Sequence, residues 1–351
     1  MFETVVIGGV SAPMKSISID ISAENAVRTA SGSFAITGPG LPCHPDDPVT
    51  ITASGTLLLT GYVRDVKPGY SAKGNTRTLE LSFVSRTIDA TETSVDHPSG
   101  EALNKTLADV GREFDTLGIG IDDDGGLPVE PKHKVIPGET LFATLERRSR
   151  GRGIVIHDTP EGKLKLATKP AGRHAGSLKR GVNIEEASAV LTGRGRYSDV
   201  SVRGQTTIGA EDAQLRPQAV AKDGGVRRRR PLIVRHEGEV LTDRMKTRAE
   251  WHAKRGAGNA LTATITTMGW RDAAGTIWTA NFLVMVEDDW LGINGMMVIK
   301  SVRLTQSGEG GEGTTATLSL ADPRALGGEN PRGDTDSGYA APTPTATFEA
   351  Q

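Results

Sequence analysis

Cysteine is almost absent from this chain of 351 residues, because Cys43 is the only one, and no intramolecular disulfide can form. No run of 18 or more apolar residues occurs, which excludes a transmembrane helix. No basic segment followed by an apolar one marks a secretory signal. The formal net charge of −2 excludes a whole-chain basic field for nucleic acid. We therefore expect a protein that is made in the cytoplasm and carries no membrane anchor.

Aromatic residues are also scarce, at 4% of the chain, whereas glycine is abundant at 43 residues. This composition favours short strands joined by tight turns over the large core of an α/β enzyme, since glycine adopts positive φ at little steric cost. Residues 269–282 show the pattern most clearly, with Trp270 and Trp278 on either side of a glycine-containing turn. Both tryptophans are expected to anchor a core, and a subunit interface is the alternative.

Hydrophobic periodicity predicts an α+β fold that is predominantly β. Ile17, Ile19 and Ile21 alternate with polar residues, as in a half-buried strand. The predicted divisions are a β-barrel-like domain at 1–88, an α+β module at 89–170, a second β-barrel-like domain at 171–322 with a long polar loop at 205–231 and a helix at 242–255, and a flexible C-terminal tail at 323–351.

Two helices are predicted inside the α+β module. Ser99 is the expected cap of the first, whose apolar face comprises Leu103, Leu107, Val110 and Phe114. Thr140 is the expected cap of the second, which ends near residue 151.

Several groups of residues have the chemistry of a catalytic or metal site. Cys43 and His44 are a possible nucleophile and base, but they lie in a proline-bounded loop. Residues 122–126 resemble part of a calcium loop, but the twelfth position is His133 where a bidentate Glu is required. Glu287, Asp288 and Asp289 are adjacent, so at most two share one face of a strand. A glycosidase pair of carboxylates brought together from anywhere in the fold remains the alternative. We therefore predict no catalytic residue, no metal and no cofactor.

Two further segments point to binding. Arg227, Arg228, Arg229 and Arg230 form a basic run without interleaved aromatic residues, which favours a partner or subunit contact over nucleic acid. Residues 135–141, Val-Ile-Pro-Gly-Glu-Thr-Leu, look like the opening of a LysM peptidoglycan-binding module, and a generic strand-to-helix junction is the other interpretation. The candidate interface residues are Arg227, Arg228, Arg229, Arg230, Trp270 and Trp278.

The order of several short motifs carries a resemblance to a known family. They are Pro-Gly-Glu-Thr at 137–140, Arg-Gly-Arg-Gly at 150–153, Asp-Thr-Pro-Glu-Gly-Lys-Leu at 158–164, Ala-Glu-Trp at 249–251, Gly-Trp at 269–270, Gly-Thr-Ile-Trp at 275–278, Asn-Phe-Leu-Val at 281–284, Val-Ile-Lys-Ser-Val at 298–302 and Leu-Ser-Leu-Ala-Asp-Pro at 318–323. Over most of residues 1–322 the chain resembles the Mu-like baseplate hub, or tail protein, family of contractile-tailed phages.

This resemblance implies a structural protein of the virion and not an enzyme. It implies a homotrimeric ring in the tail baseplate, to which each subunit contributes two tube-protein-like β-barrel domains. Such a pseudo-hexameric ring would adapt the six-fold tail tube to the three-fold central spike during genome ejection. The implied partners are two further copies of the chain, the spike protein, the tail tube protein and the baseplate wedge proteins, with no specific nucleic-acid sequence. The alternatives are a tail-tip cell-wall hydrolase, a peptidoglycan-binding module, and a hub of a phage-like injection particle.

Overall fold

The fold is predominantly β with few helices, which confirms the predicted α+β class. The structure is a computed structural model, and it describes residues 2–36, 38–74, 76–149, 152–204, 217–236, 242–308, 313–327 and 346–350. Within these residues, no helix is both long and apolar enough to span a bilayer.

Six strands near the N-terminus form what we call the first β-unit. Ile17, Ile19 and Ile21 are buried, as their alternation predicts. The strands are β1 (Val5–Gly8), β2 (Met14–Ser22), β3 (Thr29–Phe34), β4 (Pro48–Ala53), β5 (Thr56–Ser71) and β6 (Thr76–Ser85). They pair antiparallel in the order β1-β4-β5-β6-β3-β2.

An α+β module follows, with its own apolar core around Leu107, Phe114 and Leu145. Its helices are α1 (Ile88–Glu92), α2 (Leu107–Phe114) and α3 (Leu141–Ser149). Its strands are β7 (Glu101–Thr106), β8 (Ile121–Asp123), β9 (Val129–Lys134), β10 (Val155–Asp158) and β11 (Leu164–Ala167). β7 pairs with β9, and β10, β11 and β8 form a three-stranded sheet.

Six later strands form the second β-unit, and they repeat the topology of the first. They are β12 (Gly172–Lys179), β13 (Ile184–Leu191), β17 (Leu261–Met268), β18 (Phe282–Asp288), β19 (Ile293–Ser307) and β20 (Thr314–Ala321). Their order in the sheet is β12-β18-β19-β20-β17-β13. If the six strands of each unit are numbered one to six along the chain, both units have the order 1-4-5-6-3-2. One pairing differs, since β12 runs parallel to β18 whereas β1 runs antiparallel to β4.

The two β-units share one sheet. The first half of β19 pairs with β18, a bulge follows at Lys300, and the second half pairs antiparallel with β2, from Ser301 opposite Ser22 to Ser307 opposite Ser16. This junction gives a 12-stranded sheet with a single apolar core drawn from both units.

A smaller lobe is inserted between β13 and β17. It comprises β14 (Asp199–Arg203), β15 (Pro217–Lys222), β16 (Pro231–Arg235), the helix α4 (Thr242–Gly258) and the late strand β21 (Ala346–Ala350). Met245, Ala249 and Ala253 of α4 pack on this four-stranded sheet. The helix predicted over 242–255 is therefore present and continues to Gly258.

Three sequence-based expectations need correction. Ser99 does not cap a helix: β7 occupies 101–106, and Thr106 caps α2 by accepting a hydrogen bond from the Asp109 N–H at 3.2 Å. The polar loop 205–231 contains strand β15 at 217–222, and its residues 205–216 lie outside the described part. The C-terminal segment 323–351 is not devoid of secondary structure, because Pro323–Leu326 form a buried 3-10 turn and Ala346–Ala350 pair with β15.

Candidate assembly surfaces

Arg271 connects the second β-unit to the start of the chain. Its guanidinium donates to Glu3 from Nε to Oε1 at 2.7 Å and from Nη2 to Oε2 at 3.0 Å. Nη2 also donates to the Ala53 carbonyl at 2.9 Å, so the contact reaches the end of β4. The hydrogen bond from Arg271 lowers the pKa of Glu3 in spite of burial. The segment 269–282 is thus a connector between the two units.

His174 and Asp272 form a buried pair beside this connector. His174 Nδ1 donates to Asp272 Oδ2 at 2.9 Å, and Nε2 accepts from the Thr279 N–H at 3.1 Å, which defines a neutral ring. Burial alone raises the pKa of Asp272, but hydrogen bonds from backbone N–H groups such as that of Ala175 and from His174 outweigh it, so that its pKa is lowered. Both ring nitrogens are occupied and both side chains are buried. The pair therefore holds the segment in place and offers no reactive group to a substrate.

Trp270 and Trp278 belong to the core of this chain. They are only 1% and 3% exposed, and Trp270 Nε1 donates to the Thr305 carbonyl at 2.9 Å. The alternative that they contact another subunit is wrong for this conformation, because a buried ring offers no area to a partner.

The four consecutive arginines differ in exposure. Arg227, Arg228 and Arg229 are exposed in the loop between β15 and β16. Arg230 is half-buried, with its guanidinium 5.6 Å from the centre of the Tyr197 ring, and it donates to the Gly193 carbonyl. Arg230 therefore fixes the base of the loop. A partner contact by the other three stays a prediction.

Among the residues that the structure describes, strand β13 forms an open edge of the long sheet. It pairs with β17 on one side, and its residues are exposed along most of its length. Val190 and Leu191 are 58% and 57% exposed. Unpaired N–H and C=O groups on such an edge are a template for another strand. The signal in the sequence is weak, because the middle of β13, from Glu185 to Ala189, holds only small or acidic residues and shows no clear alternation.

The second half of β5 forms an exposed arm. Residues 65–71 pair with β6 but lie beyond Tyr62, the last residue of β5 that pairs with β4, and most of them are exposed. Tyr70, near the tip, is 86% exposed. The arm borders an open groove of about 1300 Å³, lined also by Ile36 and Leu41. A large aromatic side chain left in solvent is typical of a contact surface.

The remaining chemical candidates are engaged within the chain. Burial, with the nearby Asp47, raises the pKa of the Cys43 thiol, which disfavours the nucleophilic thiolate. Asp122, Asp123 and Asp124 each pair with a different cation, namely Lys163, Arg112 and Lys165, so they do not converge on one metal.

The LysM-like segment forms the strand-to-helix junction that generic capping predicts. Thr140 Oγ1 accepts from the Ala143 N–H at 3.1 Å, which confirms the predicted cap of α3. Glu139 accepts from the Ile136 N–H at 3.0 Å and from Arg147 Nε at 2.9 Å.

The adjacent carboxylates at 287 and 288 are engaged in other contacts. Glu287 pairs with Lys179, and Asp288 accepts from the Leu291 N–H, so these two carboxylates also have structural roles.

Comparisons with known proteins agree with this architecture. Residues 241–329 match the family model of the Mu phage baseplate assembly protein GpP, fourth domain. The 43 kDa tail protein of prophage MuSo2 from Shewanella oneidensis is 26% identical, with a TM-score of 0.78, over 92% of this chain and 99% of that one. A search of curated proteins gives no match.

Two more distant structures share the fold. The tail protein from Neisseria meningitidis MC58 is 18% identical with a TM-score of 0.76, over 93% of this chain and 99% of that one. The E. coli c3393 protein, a component of the type VI secretion system, is 8% identical with a TM-score of 0.57, over 90% of this chain and 76% of that one. The match to the GpP domain and the likeness to the MuSo2 tail protein support a relationship to the Mu-like baseplate and tail proteins, and the two more distant structures show the shared fold.

Proposed function

We propose that this protein is the hub of a contractile-phage baseplate: a homotrimeric ring that adapts a six-fold tail tube to a three-fold central spike. The observation that carries the proposal is the repeated strand order of the two β-units. Three copies of a chain with two such units supply six similar units around one axis. A ring of this kind has three-fold symmetry towards the spike and approximate six-fold symmetry towards the tube.

Exposed sheet edges give a physical reason for assembly. β13 and the β5 arm leave backbone groups and large apolar side chains in solvent. A sheet edge of this length favours uncontrolled association unless it is covered. Contacts between unlike surfaces close into a ring when the rotation per copy allows it. Closure of a trimer would cover all of these edges.

The neighbours in this proposal are the tail tube, the central spike and the baseplate wedge proteins. The exposed guanidinium groups of Arg227, Arg228 and Arg229 lie on the inserted lobe, outside the 12-stranded sheet. They fit an acidic protein surface, since arginine pairs with carboxylates in bidentate geometry. The protein would act within the virion after assembly in the host cytoplasm.

The role in this proposal is structural and needs no cofactor. The His174–Asp272 pair is the arrangement most like a catalytic dyad among the groups described above, and it is closed to substrate. Residues 135–141, which suggested peptidoglycan binding, are engaged with α3. Neither a tail-tip hydrolase nor a glycan-binding module is favoured by an observation on the described residues.

Electron-microscope projections of the purified full chain test the proposal. The expected images are rings with six similar densities around a central opening. Compact particles without an opening, or two-fold dimers, would contradict the hub function.

A further inference from the structure

The two β-units can be aligned residue by residue, because they carry bulges at the same places. In β2 the bulge lies between Met14 and Ser16, and in β13 it lies between Ile184 and Glu186. Ser16 therefore corresponds to Glu186, and residues 16–22 correspond to residues 186–192.

The same alignment relates β5 to β19. The pairing of β5 with β6 shifts between Val63 and Asp65, and the pairing of β19 with β20 shifts between Ile299 and Ser301. The earlier half of each strand pairs with the preceding strand of its unit, β4 or β18. Residues 65–71 of β5 therefore correspond to residues 301–307 of β19.

Within one chain, residues 16–22 of β2 pair with residues 301–307 of β19. Their counterparts, residues 186–192 and 65–71, do not pair with each other in the chain, and both are exposed. We propose that β13 of one copy pairs antiparallel with the β5 arm of the next copy, in the register of the junction between β2 and β19. This inference rests on the proposed ring, and it names the two surfaces that meet.

The register sets apolar side chains against each other on the core side. Leu191 lies opposite Val66, Ala189 opposite Pro68, and Ala187 opposite Tyr70. At the junction inside the chain the first two positions hold Ile21 with Val302 and Ile19 with Leu304, all at most 3% exposed. The pairing would therefore bury Tyr70 and Leu191, which are 86% and 57% exposed in a single copy.

On the opposite face the register gives a pair that can be tested directly. Val190 and Lys67 take the places of Asp20 and Arg303, whose side chains form an exposed ion pair, Nε to Oδ1, at 2.7 Å. Side chains at this position therefore meet across the junction. Both Val190 and Lys67 are exposed in the single chain, so substitutions there leave the core intact.

Each contact of this kind joins unlike surfaces, β13 of one copy and β5 of the next. Junctions inside the chain and junctions between copies then alternate around the ring. Three copies give three of each, so that in every unit both β2 or β13 and the second half of β5 or β19 are paired. A closed ring leaves no copy with a free partner surface.

Cysteine cross-linking of the full chain tests the register. The variant carries Val190→Cys and Lys67→Cys in a Cys43→Ala background. Under mild oxidation the expected products are covalent dimers and trimers on a non-reducing gel, and neither single-cysteine variant should give trimers. The matched control is Asp20→Cys with Arg303→Cys, which should form the disulfide within one chain and run as a monomer.

A second control shifts the register. Val190→Cys with Tyr70→Cys places the thiols three residues apart along the strand and on opposite faces, so cross-linking should fall to the background level. Rings that form normally without a disulfide between positions 190 and 67 would overturn this pairing but leave the hub function standing. A protein that stays monomeric and gives no cross-link would overturn both.

Charge substitutions give a readout that does not depend on oxidation. Val190→Lys places a like charge against Lys67 of the next copy and should weaken association about two- to five-fold per interface. Adding Lys67→Glu should restore it. If Val190→Lys leaves association unchanged, or Lys67→Glu fails to rescue it while each variant remains folded, the register is wrong.

Discussion

The carboxylate of Glu3 and the guanidinium of Arg271 meet in a two-pronged ion pair, with N–O distances of 2.7 and 3.0 Å, across 268 positions of sequence. Glu3 precedes the first strand, and Arg271 lies in the connector of the second β-unit. The backbone N–H of Glu3 also donates to Gln306 Oε1, and Gln306 Nε2 donates back to the Glu3 carbonyl. The first residues of the chain therefore fasten the two units to each other beside the sheet junction.

Loss of this pair should destabilise the fold. Arg271→Ala leaves the carboxylate of Glu3 nearly buried and without its guanidinium partner, which should cost about 2 kcal/mol of unfolding free energy. The matched control is Arg64→Ala, whose partner Glu92 is about half exposed, and it should change stability far less, because solvent screens an exposed ion pair. Urea denaturation measures both. Equal losses for the two variants would refute the role of Arg271 as a fastener.

Tryptophan substitutions separate core from surface. Trp270→Ala removes a ring that is 1% exposed and should cost about 3–5 kcal/mol, whereas Trp290→Ala, at a position 80% exposed, should change stability by less than about 0.5 kcal/mol. Thermal unfolding followed by circular dichroism measures the difference. A small loss for Trp270→Ala would show that this ring does not anchor the core.

Acid should destabilise the α+β module through His133. Burial lowers the pKa of His133 from 6.5 to about 4, and its Nε2 lies 2.9 Å from Thr144 Oγ1. Below pH 6.5 the unfolded chain takes up a proton that the folded chain does not accept until about pH 4. Stability from this group is therefore complete above pH 6.5 and falls by about 3 kcal/mol as the pH decreases through that window.

The variant His133→Gln isolates this effect, because glutamine does not titrate. The unfolding free energy measured from pH 7 to pH 4 should fall less steeply for the variant than for the wild type. The difference between the two slopes corresponds to at most one proton bound on unfolding. Parallel curves would show that folding does not lower the pKa of His133.

Exposed and anchored arginines should respond differently. Replacing Arg227, Arg228 and Arg229 together by Ala should leave the melting temperature unchanged but weaken capture of an acidic neighbour in the baseplate. Arg230→Ala should lower stability by about 1 kcal/mol, because it removes a hydrogen bond and a cation–π contact. Surface plasmon resonance with purified spike or wedge proteins measures the first effect. Undiminished binding to all of them would remove the triplet from the interface.

Local signals predicted local structure well. Thr140 is the cap of α3, since capping depends on residues three positions apart, and α4 follows from its apolar period. The same reasoning wrongly extended the first helix of the α+β module into β7, because Leu103 fits the helical spacing of Leu107, Val110 and Phe114 by chance. Leu103 is in fact an exposed strand residue that pairs with Lys132 of β9.

Long-range relationships could not be predicted. The junction of β2 with β19 joins residues about 280 positions apart, and the Glu3–Arg271 pair spans almost as many. The internal repeat is a repeat of strand order and bulge position, and corresponding residues such as Ile19 and Ala189 differ in size. The sequence therefore indicates two β-units but contains no local mark of how they are joined.

The mass of the purified full chain in solution decides whether three copies form a closed ring. One chain has a mass of 37.1 kDa, so a trimeric ring has three times that mass. Native mass spectrometry at increasing concentration should show the trimer as the dominant species, without a series of larger oligomers. A protein that remains a monomer at high concentration and in the presence of its baseplate neighbours would contradict the account.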